Sequence, residues 1–174
     1  QLVIARVFNM YGSNEGFSII HKLLGAIKNK KKIIIYNKGE AVRDFIHVDD
    51  VCEIYLKILQ TKQSAIYDVG SGQGTKISDI IKFLKIPASK IIYKKNKFTE
   101  INHSIANIYR LNDTIKKKTF IKIENYLKKK TNNKLNGKIH NKINKEYPNT
   151  INNNLNGSII YGCGFAGKKI ANKL

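Results

Sequence analysis

"AVRDFIHVDDVCEIYLKIL", residues 41–59, joins a strand pattern to a helix pattern across a cluster of charge. Side chains alternate along a strand, so Arg43, Phe45 and His47 share one face while Asp44, Ile46 and Val48 share the other. Val51, Ile54, Tyr55, Ile58 and Leu59 then recur at helical spacing and give the following helix an apolar stripe. Asp49 stands where an N-cap belongs. With Asp50 beside it, the pair satisfies free N–H groups and complements the helix dipole, together worth about 1 to 2 kcal/mol. Paired carboxylates also suit acid–base or metal chemistry, but capping accounts for them without a further assumption. His47 reads as a hydrogen-bonded core histidine rather than a general base. Arg43 is either one half of a surface pair with Glu40 or Asp44, or a planar donor fork for an anionic ligand.

Working outward, "LVIARVF" (2–8) reads as a buried strand ended by the turn-forming "NMYGSNEG" (9–16), which places Arg6, Asn9 and Tyr11 near a carboxyl end. Open α/β sheets bind ligands at such ends. Asn9 could donate its amide to a phosphate or sugar, although asparagine is also a common turn residue. Ile19, Ile20, Leu23, Leu24 and Ile27 mark a helix that Ser18 can cap. "KKIIIY" (31–36) and "VRDFIHV" (42–48) are strands joined through "NKGEA" by a hairpin or a tight connection. "AIYDVG" (65–70) is a strand running into "GSGQG" (70–74). A helix carrying Ile77, Ile80, Ile81 and Leu84 follows, closed by Pro87. "KIIYKK" (90–95) is a short strand, and Phe120, Ile123 and Leu127 lie on one face of a final helix. Strands alternating with helices give the α/β class.

All but Arg6, Arg43 and Arg110 of the 32 basic residues are lysine, and the formal charge is +20. Such a charge invites a nucleic-acid partner. Yet no arginine cluster or interleaved aromatic platform is present, which argues for solvated surface lysines instead. No run approaches 18 apolar residues, so no membrane segment is expected. Cys52 and Cys163 lack both a disulfide framework and metal-ligand spacing; they read as small buried side chains in a reducing, cytoplasmic protein with no metal site. His21, His103 and His140 have no nucleophile nearby in sequence.

The ordered set "ARVFNMYG", "KKIIIYNKGEAVRDFIHVDDVCEIYLKIL", "IYDVGSGQGTKISDIIKFL", "TEINHSIANIYRL" and "FIKIENYL" resembles the carboxyl-terminal half of NAD-dependent nucleotide-sugar epimerases and dehydratases, the extended short-chain dehydrogenase/reductase group that includes UDP-glucose 4-epimerase. The resemblance implies a partial Rossmann-like sheet plus the small substrate-binding subdomain of that group. It implies further that Arg43 contacts the substrate's diphosphate and Asn9 the nucleotide sugar. Many relatives carry a second phosphate-gripping arginine before the region matching "TEINHSIAN"; this chain offers Lys97, a less directional cation. The group's cofactor loop and catalytic Tyr/Lys pair would precede Gln1. The resemblance therefore implies NAD as cofactor of a longer parent enzyme, a homodimer as one expected assembly, and no catalytic residue among these 174.

"SIIYGCGFAGKKIANKL" (158–174) places Gly162, Gly164 and Gly167 as G-x-G-x-x-G between a strand pattern and a helix pattern in which Ile170 and Leu174 are four apart. Glycines there allow a tight turn and close approach of a pyrophosphate to a helix N-terminus. This stretch is similar to the start of domains fused to polysaccharide-assembly enzymes. The expected organisation is thus a substrate-binding half over 1–130, an Asn/Lys-rich linker over 131–156, and the opening of a second nucleotide-binding βα unit from 157. The leading expectation is the nucleotide-diphosphate-binding half of an epimerase or dehydratase, inactive alone. A non-catalytic nucleotide-sugar-binding remnant and a basic nucleic-acid-binding protein are the alternatives.

Overall fold

The structure, a computed structural model, describes residues 2–12, 18–29, 32–61, 63–95, 101–116, 119–132 and the backbone of 158–162. In chain order its elements are β1 (Leu2–Val7), β2 (Asn9–Tyr11), α1 (Ile19–Asn29), β3 (Ile33–Tyr36), β4 (Val42–His47), α2 (Val48–Leu59), β5 (Ala65–Val69), β6 (Gly74–Lys76), α3 (Ile77–Phe83), β7 (Ile91–Lys94), β8 (His103–Ser104), α4 (Tyr109–Ile115), α5 (Ile123–Asn132) and β9 (Ser158–Gly162).

The expected α/β class holds. A parallel sheet runs in the order β5-β1-β9. A second sheet is built on β4, which pairs parallel with β2 and β8 and antiparallel with β6. A third pairs β3 with β7 in parallel.

One extended run of chain serves two of these sheets. Phe8 separates β1 from β2 and donates its N–H to the Val69 carbonyl at 3.0 Å, ending the first sheet's ladder before Asn9 enters the second. Asn9–Tyr11, expected as part of a turn, is therefore a strand: its N–H and C=O groups meet β4 instead of solvent. The stretch between β3 and β4 resolves in favour of the tight connection. The two strands pair with other partners, and residues 37–39 make a 3-10 turn in which Lys38 and Gly39 have φ of 54° and 78°. Gly39 meets that requirement at little cost.

Strand β4 stands between two apolar clusters. Phe45 joins Tyr11, Ile20, Leu23, Ile35, Ile80 and Leu127, where α1, α3 and α5 meet, whereas Ile46 joins Ala5, Ile54, Ile58, Val69 and Leu111 beneath α2 and α4. Strand alternation thus gives one strand two cores. Helix α2 turns Val51, Ile54 and Ile58 inward as the stripe requires. Cys52 is the exception to expectation: it is exposed, because its helical position lies off that stripe. Two helices, rather than one, close the first 132 residues, since "YRLNDTI" forms α4 with Leu111 and Ile115 buried, and α5 begins only after Phe120. Ile123 and Leu127 are buried on α5 as their spacing predicts. Among the described residues no helix is long and apolar enough to cross a membrane.

Candidate functional site

Arg43 and Asn9 lie on neighbouring strands. The β2–β4 register sets Asn9 opposite Phe45, and Arg43 precedes Phe45 by one alternation, so both polar side chains open on one side of the pair. They line a cavity of about 430 Å³ with Met10, Ser18, Tyr36 and Ile77 among its other walls. Ser18 doubles as the cap of α1, its Oγ accepting the His21 N–H at 3.1 Å, as the sequence suggests. The cavity joins the Arg43 guanidinium, the Asn9 carboxamide and the hydroxyl-bearing Ser18 and Tyr36 to apolar walls, a combination suited to a ligand with an anionic end and a flat or apolar end.

The Arg43 guanidinium is held in place. Its Nη1 donates to the carbonyls of Val42 at 2.9 Å and Ile101 at 2.7 Å. The surface-pair alternatives are taken up elsewhere: Glu40 accepts from Lys76 Nζ at 3.1 Å, and Asp44 points to the opposite side of the strand. Asn9 Nδ2 donates to the Asp44 carbonyl at 3.3 Å, tying β2 to β4 at the cavity rim.

Asp44, which sequence reasoning passed over, is the most heavily bonded side chain near the site. It is fully buried, and its carboxylate accepts four hydrogen bonds: Ser71 N–H at 2.8 Å, Ser71 O–H at 2.6 Å, Gly72 N–H at 2.9 Å and Ala106 N–H at 3.1 Å. Bonds to an ionised acceptor are about twice as strong as neutral ones. "GSGQG" is consequently no phosphate cradle. The N–H groups of Ser71 and Gly72 are committed to Asp44, and the turn leads into antiparallel β6 instead of a helix. Gly70 is required for close approach: an added Cβ would lie 2.5 Å from Asp44 Oδ2.

The charge that follows β4 is structural. His47, not Asp49, caps α2: its Nδ1 accepts the Asp49 N–H at 3.2 Å, displacing the aspartate from that role because the helix begins at Val48, two residues earlier than an Asp49 cap would allow. Asp49 is exposed in the first turn, its Oδ2 3.4 Å from His47 Nδ1. Asp50 is buried and accepts the Ile121 N–H at 2.8 Å, holding the lead-in to α5. The core reading of His47 is correct; its ring packs edge-on against Tyr11 and Tyr126. Tyr11 is buried too, and its phenol donates to the Ile121 carbonyl at 2.6 Å. Burial, and then the Asp50, Glu124 and Tyr126 side chains, push that phenol well above its ordinary pKa. Arg6 meets Asp68 at 2.6 Å on the exposed side of the parallel sheet, away from the cavity walls.

Lys97, Gly164 and Gly167 lie outside the described residues, as do Cys163 and His140. Gly162 ends β9, beside Arg6 of β1. Among the described residues no three potential ligands gather to hold a metal.

Residues 1–70 match the NAD dependent epimerase/dehydratase family. The "RDFIHVDD" stretch lies within those matched residues. A CDP-abequose synthase of Salmonella typhimurium is 31% identical over 114 residues, covering 59% of this chain and 38% of that protein. A dTDP-L-rhamnose 4-epimerase of Burkholderia thailandensis is 32% identical over 90 residues, covering 48% of this chain and 25% of that one. Among solved structures, a UDP-N-acetylglucosamine 4-epimerase from Methanobrevibacter ruminantium, in complex with UDP-N-acetylmuramic acid, superposes with a TM-score of 0.64 at 26% identity, over 75% of this chain and 44% of that one. The chain thus spans less than half the length of these relatives.

Proposed function

We propose that this chain provides the nucleotide-diphosphate-binding part of a nucleotide-sugar epimerase or dehydratase. The observation that carries the reading is the shared cavity of Arg43 and Asn9, two residues on separate strands that the family resemblance independently assigns to the same ligand. A guanidinium offers paired, coplanar donors to a diphosphate, and its orientation here is fixed by two carbonyls before any ligand arrives. Lys97 would add a second cation.

The family uses NAD, and the residues described here do not fit that group. Gly70, Gly72 and Gly74 mark the glycine-rich stretch, and its Ser71 and Gly72 N–H groups go to Asp44 while that of Gln73 goes to Ser71 Oγ. No catalytic group is assigned within this chain, and hydride chemistry falls to residues outside it. Gly162, Gly164 and Gly167 are proposed as the opening of a second nucleotide-binding unit from residue 157, with 131–156 as its linker. Helix α5 reaches Asn132 and so carries regular structure slightly into that linker. Isomerase or lyase activity in the parent, a role in polysaccharide biosynthesis, a cytoplasmic setting and a homodimer belong to the same reading.

Calorimetric titration of the 174-residue chain with ADP, CDP, dTDP and UDP tests the assignment. Binding of at least one is expected, and Arg43→Ala should weaken it about tenfold or more, the effect of losing a charge-assisted contact. Equal affinity for the variant and the parent chain would overturn the proposal.

A further inference from the structure

Arg43 and Asp44 are consecutive on β4 and face opposite ways, yet both grip the same neighbouring segment. Arg43 Nη1 donates to the Ile101 carbonyl at one end of it, and Asp44 Oδ2 accepts the Ala106 N–H at the other. Between these points the segment pairs with β4, Val42 opposite His103 and Arg43 opposite Ser104, and the Val42 N–H donates to the Asn102 carbonyl at 2.8 Å. Strand β8 is two residues long, so its ladder alone defines little. The buried carboxylate supplies what the ladder lacks, and it also binds the 71–72 turn to the same strand.

From this arrangement we infer that Asp44 is a positioning residue for the anion site. By anchoring the 101–106 segment at Ala106, it fixes the Ile101 carbonyl that aims the Arg43 guanidinium into the cavity. The inference rests on the assignment of Arg43 to the ligand's phosphates. Asp44 touches no ligand itself: its oxygens are spent on Ser71, Gly72 and Ala106, on the side of β4 away from Arg43.

A double-mutant cycle separates positioning from general loosening. The full chain, Arg43→Ala, Asp44→Asn and the double variant are titrated with whichever of ADP, CDP, dTDP and UDP binds, and with the matching phosphate-free nucleoside. Asp44→Asn places an amide N–H₂ against donor groups, and about a tenfold loss of diphosphate affinity is expected. The nucleoside should bind as before, and the second substitution should add less than twofold in the Arg43→Ala background. Full additivity, or an equal loss for the nucleoside, overturns the inference. Should Asp44→Asn fail to fold, Ser71→Ala removes the 2.6 Å hydroxyl bond to Asp44, together with that hydroxyl's contacts to Gln73 in its own turn, and must show the same pattern, a smaller diphosphate loss that disappears when Arg43 is absent. If Arg43→Ala alone leaves diphosphate affinity unchanged, the site assignment fails and this inference falls with it. If only the Asp44 arm is flat, the site stands without it.

Discussion

The phenol of Tyr11 and the imidazole of His47 meet edge-on with ring centroids 5.1 Å apart, where β2 and β4 pair at Tyr11 and His47. Tyr126 of α5 closes the group, 5.2 Å from Tyr11 and 5.4 Å from His47. Three elements far apart in sequence are thus locked by one aromatic cluster, to which each ring pair contributes about 0.5 to 1.5 kcal/mol beyond its area.

That cluster predicts an alkaline weakness. The folded-state pKa of Tyr11 is raised above the ordinary 10.0, so its stabilising contribution is complete below pH 10 and declines as pH rises further, the unfolded chain ionising first. The melting temperature should fall from about pH 10 upward. Tyr11→Phe should be less stable at pH 8 by about 1 kcal/mol through loss of the Ile121 bond, and should show a shallower alkaline decline. Parallel slopes for variant and parent chain would refute the assignment.

Asp50 binds the backbone on the far side of a long connection. Asp50→Ala leaves the Ile121 N–H without its buried acceptor and should cost about 1 to 3 kcal/mol in urea denaturation. Asp49→Ala, at an exposed carboxylate, should cost less than about 0.5 kcal/mol. Equal costs would show that the two aspartates share the capping role their adjacency suggests.

Two glycines should answer the same substitution with opposite signs. Gly25 lies inside α1, and a Cβ there meets nothing within 4 Å, so Gly25→Ala should stabilise by about 0.5 to 1 kcal/mol. Gly70→Ala drives a methyl group against Asp44 Oδ2 and Ala106 and should destabilise by about 1 to 3 kcal/mol. Thermal melts of both variants decide the matter.

Amide exchange should read the two sides of β1 separately. The Leu2 N–H donates to Ser64 and the Phe8 N–H to Val69, so strand alternation turns the N–H groups of Ile4 and Arg6 toward β5 and those of Val3 and Ala5 toward β9. A chain ended at Asn132 should exchange Val3 and Ala5 at least tenfold faster, with Ile4 and Arg6 nearly unchanged. Equal rates at Val3 and Ala5 in the two chains would remove β9 from that edge.

The elements whose periodicity is set by burial were legible in the sequence. Val51, Ile54 and Ile58 on α2, and Ile20 and Leu23 on α1, turn inward as their spacing demands. Arg43 and Asn9 could be named because arginine is scarce in this chain and the ordered stretches resemble a known family. What escaped was set by long-range partners. Asn9–Tyr11 has turn composition and becomes a strand only because β4 is beside it. His47 takes the cap from Asp49 through a geometry that adjacency in sequence does not encode. Asp44 looked like Arg43's neighbour in charge, whereas its four donors come from Ser71, Gly72 and Ala106, 27 to 62 positions away.

Phe8 lines no part of the cavity, yet it sets the phase between the parallel sheet and the cavity rim. Adding or deleting one residue there would leave β1 paired with β5 while carrying the Asn9 carboxamide to the reverse side of its strand. At this junction a single codon gained or lost would turn the rim inside out.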